Sequence, residues 1–461
     1  MKNLRVKNIL QTGEQGQKVK ISAWVRSARV SKHVAFLAVN DGSSQGTFQL
    51  IVDASSPEYE KAKEINTGAS LEAVGTLQKS PKKETELELH VEELSILGNT
   101  TPSYPLQKKG HSLEFLREIA HLRGRTNTFG AVFRVRNCLA QGVHEFFRSK
   151  DFVWAHTPIL TGTDCEGAGE LFRVTNFDLE KIPKDEKGKV SYRDDFFGVP
   201  SYLTVSGQLQ AEIMALSLGN TYTFGPTFRA ENSNTARHLS EFWMVEPEMP
   251  FCDLEGNMDL AEEFISFLIQ HTLKNCHEEL RFFEKFYKSC SIAELESVSK
   301  AKFHRLSYTD AIKALQDSQK KFEYPVEWGL DLQTEHERYL TEVIFKGPVT
   351  VFDYPKDIKA FYMRANDDNK TVRAMDLLVP KVGELIGGSQ REERFDALSK
   401  RMTELNVSKE ALWWYLDLRR QGTATHSGFG LGFERLVMYI TGMQNIRDVV
   451  ISPRHPKTVS F

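Results

Sequence analysis

TYTFGPTFRAENSNTARHLSEFWMVEPEM, residues 221–249, contains two alternating segments joined by a polar loop. In 221–231, Tyr222, Phe224 and other apolar residues take even positions and polar residues take odd ones, which is the period of a half-buried β-strand. In 241–249 the alternation returns. The stretch therefore predicts a β-hairpin with one polar face.

The predicted polar face is unsuited to a protein core. It carries one cation, three carboxylates and one aromatic ring: Arg229, Glu231, Glu246, Glu248 and Phe242. The loop above it adds two basic residues, Arg237 and His238. An arginine offers a planar fork to a phosphate, and a phenylalanine ring offers a base a surface for stacking. The set therefore suits a nucleotide. A solvated face with one stray phenylalanine is the alternative, and it is the commoner case for an arbitrary hairpin.

Composition limits the remaining possibilities. A chain of 461 residues favours two or more domains, and its net charge of −3 gives no overall attraction to nucleic acid. Five widely spaced cysteines without a CxxC pair indicate neither a disulfide framework nor a zinc knuckle. The first residues, MKNLRVKNIL, lack the long apolar run expected of a signal peptide, and no stretch is long enough to cross a bilayer. We expect a cytoplasmic protein without a membrane partner.

Residues 1–100 contain five short β-type segments separated by turn signals, which favours a small OB-type barrel. Such barrels bind single-stranded nucleic acid with basic side chains and exposed rings. Arg29, Phe36 and Gln49 lie on three elements that can share one face. For Phe36 alone, a place in the core is the alternative.

Two further stretches carry chemistry. Asp376 lies in an apolar segment, and Glu384 opens the next one after a turn. Buried carboxylates are costly unless they are paired or bind a metal, and two on neighbouring strands suit a Mg²⁺ that carries substrate phosphates. Two structural salt bridges are the alternative. In GFGLGFERL, residues 428–436, a glycine-rich strand runs into a helix opened by Glu434 and Arg435.

These strings resemble a known family. FRAE…RHLSEF resembles motif 2 of the class II aminoacyl-tRNA synthetases, in the form of the aspartate/asparagine subgroup, and GFGLGFERL resembles motif 3. The helix–strand–proline pattern that starts near residue 129 resembles motif 1, which forms the dimer interface in this class. The resemblance covers essentially the whole chain. It implies an α+β multidomain homodimer with three parts: an N-terminal OB-fold anticodon-binding barrel (1–100), a hinge (101–128) and a catalytic domain of antiparallel sheet flanked by helices (129–461), with a helical insertion at about 257–345.

The resemblance also implies roles for the residues of the two motifs. Arg229 holds the α-phosphate of ATP, and Arg435 holds the γ-phosphate and lies above the adenine. The other implied catalytic and ATP-binding roles are Phe242 stacking under adenine, Glu231 accepting from its amino group, His238 reaching the terminal phosphates, and Asp376 and Glu384 holding Mg²⁺. On the barrel, Phe36 stacks on the middle anticodon base, Gln49 hydrogen-bonds it, and Arg29 contacts the anticodon.

The amino-acid substrate follows from departures within the subgroup. The aspartate enzymes carry QLFK before motif 2, whereas this chain has SGQLQAE at 206–212, so the position of their carboxylate-binding lysine falls on Ala211. Glu246 stands where they have aspartate, and a carboxylate there accepts from an amide while Arg391 donates to the amide oxygen. Ser206, Gln208 and, for the ammonium group, Glu166 complete the implied site. We therefore expect L-asparagine to be joined to tRNA(Asn).

Two other hypotheses remain. One is an aspartate enzyme with relaxed tRNA choice, against which Ala211 argues. The other is a relative that only binds RNA or makes free asparagine. A binding module has no reason to keep the predicted phosphate and metal residues together, and the asparagine-making relatives lack the barrel that residues 1–100 predict.

Overall fold

The computed structural model describes residues 3–81, 83–163 and 171–461, without the side chains of 83–85. The chain divides into two compact units, Met1–Ala131 and Val132–Phe461. In the described part, no helix is both long enough and apolar enough to cross a membrane. The bounds expected for the anticodon-binding domain, the hinge and the catalytic domain stay predictions, because a compact unit is not yet a functional domain.

The first unit is built around a barrel. In chain order it contains α1 (Val6–Thr12), β1 (Lys18–Val30), β2 (Val34–Asn40), β3 (Phe48–Asp53), α2 (Tyr59–Lys63), β4 (Ser70–Ser80), β5 (Lys83–Gly98), α3 (Leu113–Glu118) and α4 (Ala120–Arg123). The five strands described here close in the order β1-β2-β3-β5-β4. Alternate residues point inward, so that Ala35, Leu37 and Val39 are fully buried. The predicted OB-type barrel is confirmed.

The second unit contains a large mixed sheet. Its elements are α5 (Asn127–Ser149), which starts before the division, β6 (Val153–Trp154), β7 (Leu160–Thr161), β8 (Arg173–Val174), β9 (Ser201–Leu203), α6 (Gln208–Leu218), β10 (Thr221–Phe228), β11 (Glu241–Pro250), α7 (Leu254–Asn275), α8 (His277–Tyr287), α9 (Ile292–Lys300), β12 (His304–Ser307), α10 (Tyr308–Asp317), α11 (Thr334–Tyr339), β13 (Val349–Pro355), β14 (Thr371–Val379), β15 (Gly383–Gln390), α12 (Phe395–Glu404), α13 (Trp413–Asp417), β16 (His426–Gly432) and α14 (Phe433–Thr441). Among the described residues, the sheet order is β12-β13-β14-β15-β16-β11-β10-β6, and β7-β9-β8 form a small second sheet.

The hairpin predicted at 221–249 is confirmed. Strands β10 and β11 pair antiparallel, with Thr223 opposite Glu246 and Thr227 opposite Phe242. The half-buried character predicted for β10 is wrong at its start, where Thr221 and Thr223 are as buried as Tyr222. Helix α6 packs against β10 and β11 and covers this end of the polar face. The other end stays open, which leaves room for a ligand.

Helices cover the sheet on its apolar side. Helix α5, expected from the helix–strand–proline pattern near residue 129, is amphipathic, and its Val135, Leu139 and Val143 are fully buried. Its Phe146 packs on Phe264 of α7, with ring centroids 4.9 Å apart. Helix α7 in turn lies against β14, β15 and β16.

Three expectations about the sheet need correction. The sheet is antiparallel only in its centre, because β6 pairs parallel to β10 and β12 pairs parallel to β13 at the two edges. The segment expected to be a strand up to Pro158 forms β6 over two residues only. The insertion at 257–345 is mostly helical, but it also contributes β12, since His304–Ser307 adds to the open edge of β13.

Candidate active site

The open end of the polar face holds two adjoining pockets. The first, here the Phe242 pocket, has a volume of about 150 Å³ and lies between the β10–β11 loop, β15 and the start of α14. Its walls include nearly all the residues predicted to bind ATP: Arg229, Glu231, His238, Phe242, Glu384 and Arg435. Asp376 is the predicted residue that lines the neighbouring pocket instead. The structure thus brings the residues of both motifs to one place.

The local sequence explains how the Phe242 pocket forms. Phe242 lies on β11, next to the β10–β11 loop. The guanidinium carbon of Arg229 lies over its ring, 5.4 Å from the ring centroid. Glu434 is buried and accepts from Arg136 Nη2 at 2.7 Å and from the backbone N of Trp243 at 2.9 Å. These bonds fix the start of α14 against β11, so Arg435 projects into the pocket.

Three arginines and three glutamates line the Phe242 pocket, and two of these glutamates have a cationic partner, Glu434 in Arg136 and Glu384 in Arg435. Arg435 Nη1 donates to Glu384 Oε2 at 3.1 Å, and this carboxylate keeps the pKa of Arg435 above its usual value. Burial, together with the positive charge of Arg435, lowers the pKa of His238. The imidazole is therefore neutral at neutral pH until an anion enters. Arg237, which the sequence argument placed on the loop but gave no role, also lines the pocket.

The second pocket, here the Arg391 pocket, has a volume of about 220 Å³ and shares Arg229 and Glu384 with the first. Its lining includes the residues expected to bind the amino acid that the structure describes: Ser206, Gln208, Glu246 and Arg391. Glu166 lies outside the described residues. A ligand in one pocket therefore meets a ligand in the other at Arg229.

Glu246 is a buried and rigidly held acceptor. Its Oε2 accepts from the backbone N of Gly207 and from Thr223 Oγ1, each at 3.0 Å, and its Oε1 accepts from the hydroxyl of Ser206. Only 4 % of the residue is exposed. A carboxylate that receives three donors is held in one orientation and keeps about one acceptor position for a ligand.

Arg391 makes several hydrogen bonds within the protein that the sequence does not predict. Its Nε donates to Glu248 Oε2 at 3.1 Å, Nη2 donates to the other oxygen of Glu248, and Nη1 donates to Ser389 Oγ at 2.9 Å. A guanidinium has five N–H groups, so these contacts leave two for a ligand. The role expected for Arg391 stays a prediction, with Glu248 as the partner that aims it.

The two carboxylates expected to hold Mg²⁺ meet at Gly387. Asp376 pairs with Gly387 across β14 and β15, and a Cβ on this glycine would come within 3.3 Å of Asp376 Oδ1 and 3.1 Å of Glu384 Oε1. The glycine thus leaves a small cradle between two oxygens. Lys359 Nζ donates to the other Asp376 oxygen at 2.9 Å, and Arg435 holds the other Glu384 oxygen.

This geometry fits a partly substrate-held Mg²⁺. Burial alone would raise the pKa of Glu384. The positive charges of Arg435 and Lys359 have the larger effect and keep this pKa below its usual value, so the carboxylate is ionised. Within the described residues, no group of three or more His, Cys, Asp or Glu side chains is placed to hold a metal by itself. Mg²⁺ commonly takes one or two carboxylates and completes its shell with phosphates and water. The structure also contains the salt bridges of the alternative interpretation, since Asp376 pairs with Lys359 and Glu384 pairs with Arg435.

The sequence argument missed several residues of the site. Lys359 carries no motif signal, and only the fold places it on Asp376. Glu337 lies in the helical insertion, to which the sequence assigns no role, and its Oε2 accepts from the backbone N of Glu384 at 3.1 Å. Burial raises the pKa of Glu337 to about 8. Behind Arg391, Glu212 accepts from Arg419 Nη2 at 2.8 Å, in a cluster with no exposure to solvent.

The barrel presents the three predicted anticodon residues on one outer face. Arg29 on β1 lies directly opposite Phe36 on β2, and Gln49 on β3 lies opposite Ala38, two residues further along. Cross-strand partners and residues two apart share a face, so these three side chains are neighbours. Phe36 is half-buried, whereas Ala35 and Leu37 on either side are fully buried. Phe36 is therefore not a core residue.

Comparison with known proteins identifies the family. Residues 112–456 match the model described as tRNA synthetases class II (D, K and N), and residues 19–97 match an OB-fold nucleic acid binding domain. The chain belongs to the class II tRNA synthetases. The predicted family and fold are thereby confirmed, and the barrel and the sheet described above are its two folded parts.

This class II synthetase has similar relatives over its full length. It is 57 % identical to the asparagine–tRNA ligase of Nostoc sp. over 463 residues, which covers 100 % of both chains. It is 56 % identical to that of Microcystis aeruginosa, over 99 % of each. The crystal structure of asparaginyl-tRNA synthetase from Pyrococcus horikoshii complexed with asparaginyl-adenylate matches with a TM-score of 0.86 at 32 % identity, covering 100 % of this chain and 99 % of that one.

Proposed function

We propose that this synthetase is an asparagine–tRNA ligase, which activates L-asparagine with ATP to asparaginyl-adenylate and transfers it to tRNA(Asn), releasing AMP and pyrophosphate. One observation carries the proposal: the Phe242 pocket and the Arg391 pocket meet at Arg229 and Glu384. A nucleotide in the first and an amino acid in the second bring an α-phosphate and a carboxylate together at that junction. The names of the Nostoc and Microcystis relatives support the choice of amino acid.

The chemistry needs positioning and charge neutralisation. An oxygen of the asparagine carboxylate attacks the α-phosphorus, and the bond to the bridging oxygen breaks as pyrophosphate leaves. Arg229 lies at the junction to neutralise the α-phosphate, while Arg435 and His238 hold the terminal phosphates. A carboxylate is already a nucleophile at neutral pH, so no side chain has to remove a proton.

Phe242 and Glu231 hold the base, the ring by stacking and the carboxylate by accepting from the amino group. Asp376 and Glu384 hold Mg²⁺, which supplies neutralisation of the phosphate charge. The cradle at Gly387 supports this assignment, because two oxygens there face an open space that a side chain would fill.

Selectivity for asparagine rests on Glu246, Arg391 and Ala211. The held carboxylate of Glu246 accepts from the side-chain amide and repels the carboxylate of aspartate, and Arg391 donates to the amide oxygen. Ala211 is fully buried and uncharged, so no lysine there attracts a second carboxylate. Buried polar sites of this kind discriminate strongly, because the wrong substrate leaves donors or acceptors unpaired.

Two further parts of the proposal concern partners. The face with Arg29, Phe36 and Gln49 binds the anticodon of tRNA(Asn). At the β6 edge of the sheet, Trp154 is 60 % exposed; it lines a pocket of about 360 Å³ together with Trp243 of β11, which is 38 % exposed. Exposed aromatic surface at a sheet edge favours burial against a second copy, so we infer a homodimer through this edge. The cytoplasmic location expected from the sequence stays a prediction.

Amino-acid-dependent ATP–pyrophosphate exchange tests the proposal, with asparagine and aspartate assayed side by side and aminoacylation of tRNA(Asn) as the second step. We expect exchange with asparagine alone and charging of tRNA(Asn). Exchange with aspartate alone would retain the nucleotide site and overturn the specificity. Folded protein without exchange for either amino acid would overturn the enzyme assignment.

A further inference from the structure

A carboxylate lies fully buried behind the Arg391 pocket. Glu212 is on α6, one turn after Gln208, and it has no exposure to solvent. The described linings of the Arg391 pocket and the Phe242 pocket do not include it. Burying a charge costs free energy unless partners compensate that charge. Glu212 therefore either stabilises the fold alone or acts on a substrate through the residues that line the Arg391 pocket.

Glu212 lies next to two of the residues predicted to bind the amino acid. Gln208 Nε2 donates to Glu212 Oε1 at 3.1 Å, and Arg391 Nε lies 4.0 Å from the same oxygen. The planar amide of a glutamine carries both an NH₂ donor and a carbonyl acceptor. Because the NH₂ group of Gln208 is directed at Glu212, its carbonyl oxygen is the group left for the ligand. A carbonyl oxygen suits the ammonium group of an amino acid.

On its other side, Glu212 is held by groups from α13 to the start of β16. Tyr415 Oη donates to Oε1 and Arg419 Nη2 donates to Oε2, each at 2.8 Å, and His426 Nε2 lies 3.0 Å from Oε2. Burial alone would raise the pKa of Glu212. The charge of Arg419, the hydrogen bond from His426 and the charge of Arg391 together have the larger effect and keep this pKa well below its usual value, so the carboxylate is ionised.

Arg391 therefore lies close to two fixed carboxylates. Its Nε and Nη2 donate to Glu248, and Glu212 lies next to the same Nε. Opposite charges at such distances in a buried site compensate one another strongly. A neutral amide needs only N–H donors from this guanidinium. The carboxylate of aspartate would bring a further negative charge to an arginine that is already compensated, so the fixed carboxylates favour the amide.

Two adjacent positions of α6 shift the charge of the site in the same direction. The aspartate enzymes that this chain resembles carry a carboxylate-binding lysine at the position of Ala211, which here is uncharged and fully buried. The next residue, Glu212, is a buried anion. We propose that Glu212 is a positioning residue that determines specificity: it compensates the charge of Arg391 and orients the amide of Gln208, so that the site accepts asparagine and rejects aspartate. This inference rests on the proposed function.

The substitution Glu212→Gln tests the charge, because it keeps the size of the side chain and removes one negative charge. In full-length protein, we expect the ratio of kcat/KM for asparagine to kcat/KM for aspartate in ATP–pyrophosphate exchange to fall by about tenfold, the effect of one compensating charge. The change should appear mainly in the KM values for the two amino acids. The KM for ATP should stay within about twofold, because Glu212 is outside the described lining of the Phe242 pocket.

The matched control is Tyr415→Phe, which removes a hydrogen bond to Glu212 Oε1 but keeps the carboxylate and its charge. Thermal unfolding should show a loss of stability in both variants, since each leaves buried polar groups without a partner. Only Glu212→Gln should lower the ratio. An equal loss of exchange with both amino acids in Glu212→Gln, at an unchanged ratio, would show that Glu212 serves the structure alone and would overturn the proposal. A fall in the ratio of equal size in Tyr415→Phe would overturn it as well.

Glu212→Asp covers the case in which Glu212→Gln does not fold. The shorter side chain keeps the negative charge but withdraws it from Gln208 and Arg391 by about 1.5 Å, the length of one C–C bond. Its ratio should lie between those of the wild-type protein and Glu212→Gln, about threefold below the wild type. A wild-type ratio in Glu212→Asp would contradict the proposal.

A failure of the proposed function can be told apart from a failure of this inference. If the folded wild-type protein shows no exchange with either amino acid, the function fails, and calorimetry with free asparagine and free aspartate decides about Glu212. A preference for asparagine that is present in the wild-type protein and lost in Glu212→Gln would sustain the role of Glu212. Equal preference in both proteins, or no binding of either amino acid, would reject it.

Discussion

The Phe242 pocket and the Arg391 pocket are neighbours, yet they manage charge in opposite ways. In the Phe242 pocket Arg229, Arg237 and Arg435 face an open space, and Glu231 is exposed. In the Arg391 pocket the charged groups are buried and bonded to one another, as with Glu248 and Arg391. A polyanion is bound by arginines that face an open space, whereas a neutral side chain is selected by groups whose orientation is already fixed.

Removing Arg229, the cation that the two pockets share, should have the largest effect. We expect Arg229→Ala to lower the exchange rate by about a thousandfold or more, because it removes a cation that neutralises charge developing at the α-phosphate. Binding of tRNA should be nearly unchanged, since the anticodon face lies on the barrel. Exchange at the wild-type rate in this variant would remove the assignment of the junction as the reaction centre.

The two carboxylates Glu246 and Glu231 give a matched pair of substitutions, one in each pocket. Glu246→Gln should lower kcat/KM for asparagine by about a hundredfold, because the substrate amide loses a charged acceptor and one acceptor oxygen becomes an NH₂ group that faces the donors around it. Its KM for ATP should be near the wild-type value. Glu231→Gln should do the reverse and raise the KM for ATP by about tenfold, with discrimination between asparagine and aspartate retained. If both variants affected the same substrate, the division of labour between the pockets would be wrong.

The sequence predicts those parts of the site that depend on residues close together along the chain. The alternation around Phe242 predicts the hairpin, and the strand-to-helix change at Arg435 places the second cation, since each depends on neighbours along the chain. Lys359 and Glu337 were missed for the opposite reason. Lys359 follows β13 and reaches Asp376 because β13 pairs with β14, whereas Glu337 reaches Glu384 because α11 packs against β15. Neither has a pattern of its own.

The same limit explains the errors about burial. In the sequence, Thr221 and Thr223 occupy the polar, solvent-facing positions of a strand. In the structure α6 covers them, and the alternation within a strand does not show whether a helix packs on its polar face. The two parallel edge strands were missed for a related reason. Both are very short, and the direction of pairing depends on which partner edge is available.

The metal cradle connects the two pockets and offers a test of intermediate size. Asp376→Asn should raise the Mg²⁺ concentration needed for half-maximal exchange by about tenfold, because the cradle loses one of its two anionic oxygens. The ATP-free protein should also bind Mn²⁺ more weakly, which is a readout independent of turnover. Ser389→Ala is a suitable control, since Ser389 lies on the same strand pair but contacts Arg391 instead of the cradle. Equal Mg²⁺ dependence in Asp376→Asn and wild-type proteins would favour the salt bridge to Lys359 as the whole role of Asp376.

The smallest effect expected is a pH dependence that only the Phe242 pocket should show. The pKa of His238 in the free protein lies below its usual value, because of burial and the charge of Arg435. Terminal phosphates near the imidazole favour its charged form, so ATP binding raises this pKa and takes up a proton at pH values between the free and bound pKa. The protonated form binds more tightly, and the affinity for ATP should therefore increase as the pH falls through that interval, by about threefold.

ATP itself takes up a proton in the same range, so the measurement needs a reference without the imidazole. His238→Gln provides it, and the difference between the two proteins isolates the contribution of His238. Calorimetry in buffers of different ionisation enthalpy should show proton uptake with ATP in the wild-type protein beyond that of the variant. Asparagine binding should show no such difference, because His238 does not line the Arg391 pocket. Identical proton uptake in both proteins would mean that His238 does not meet the phosphates, and the terminal-phosphate role would pass to Arg237 and Arg435 alone.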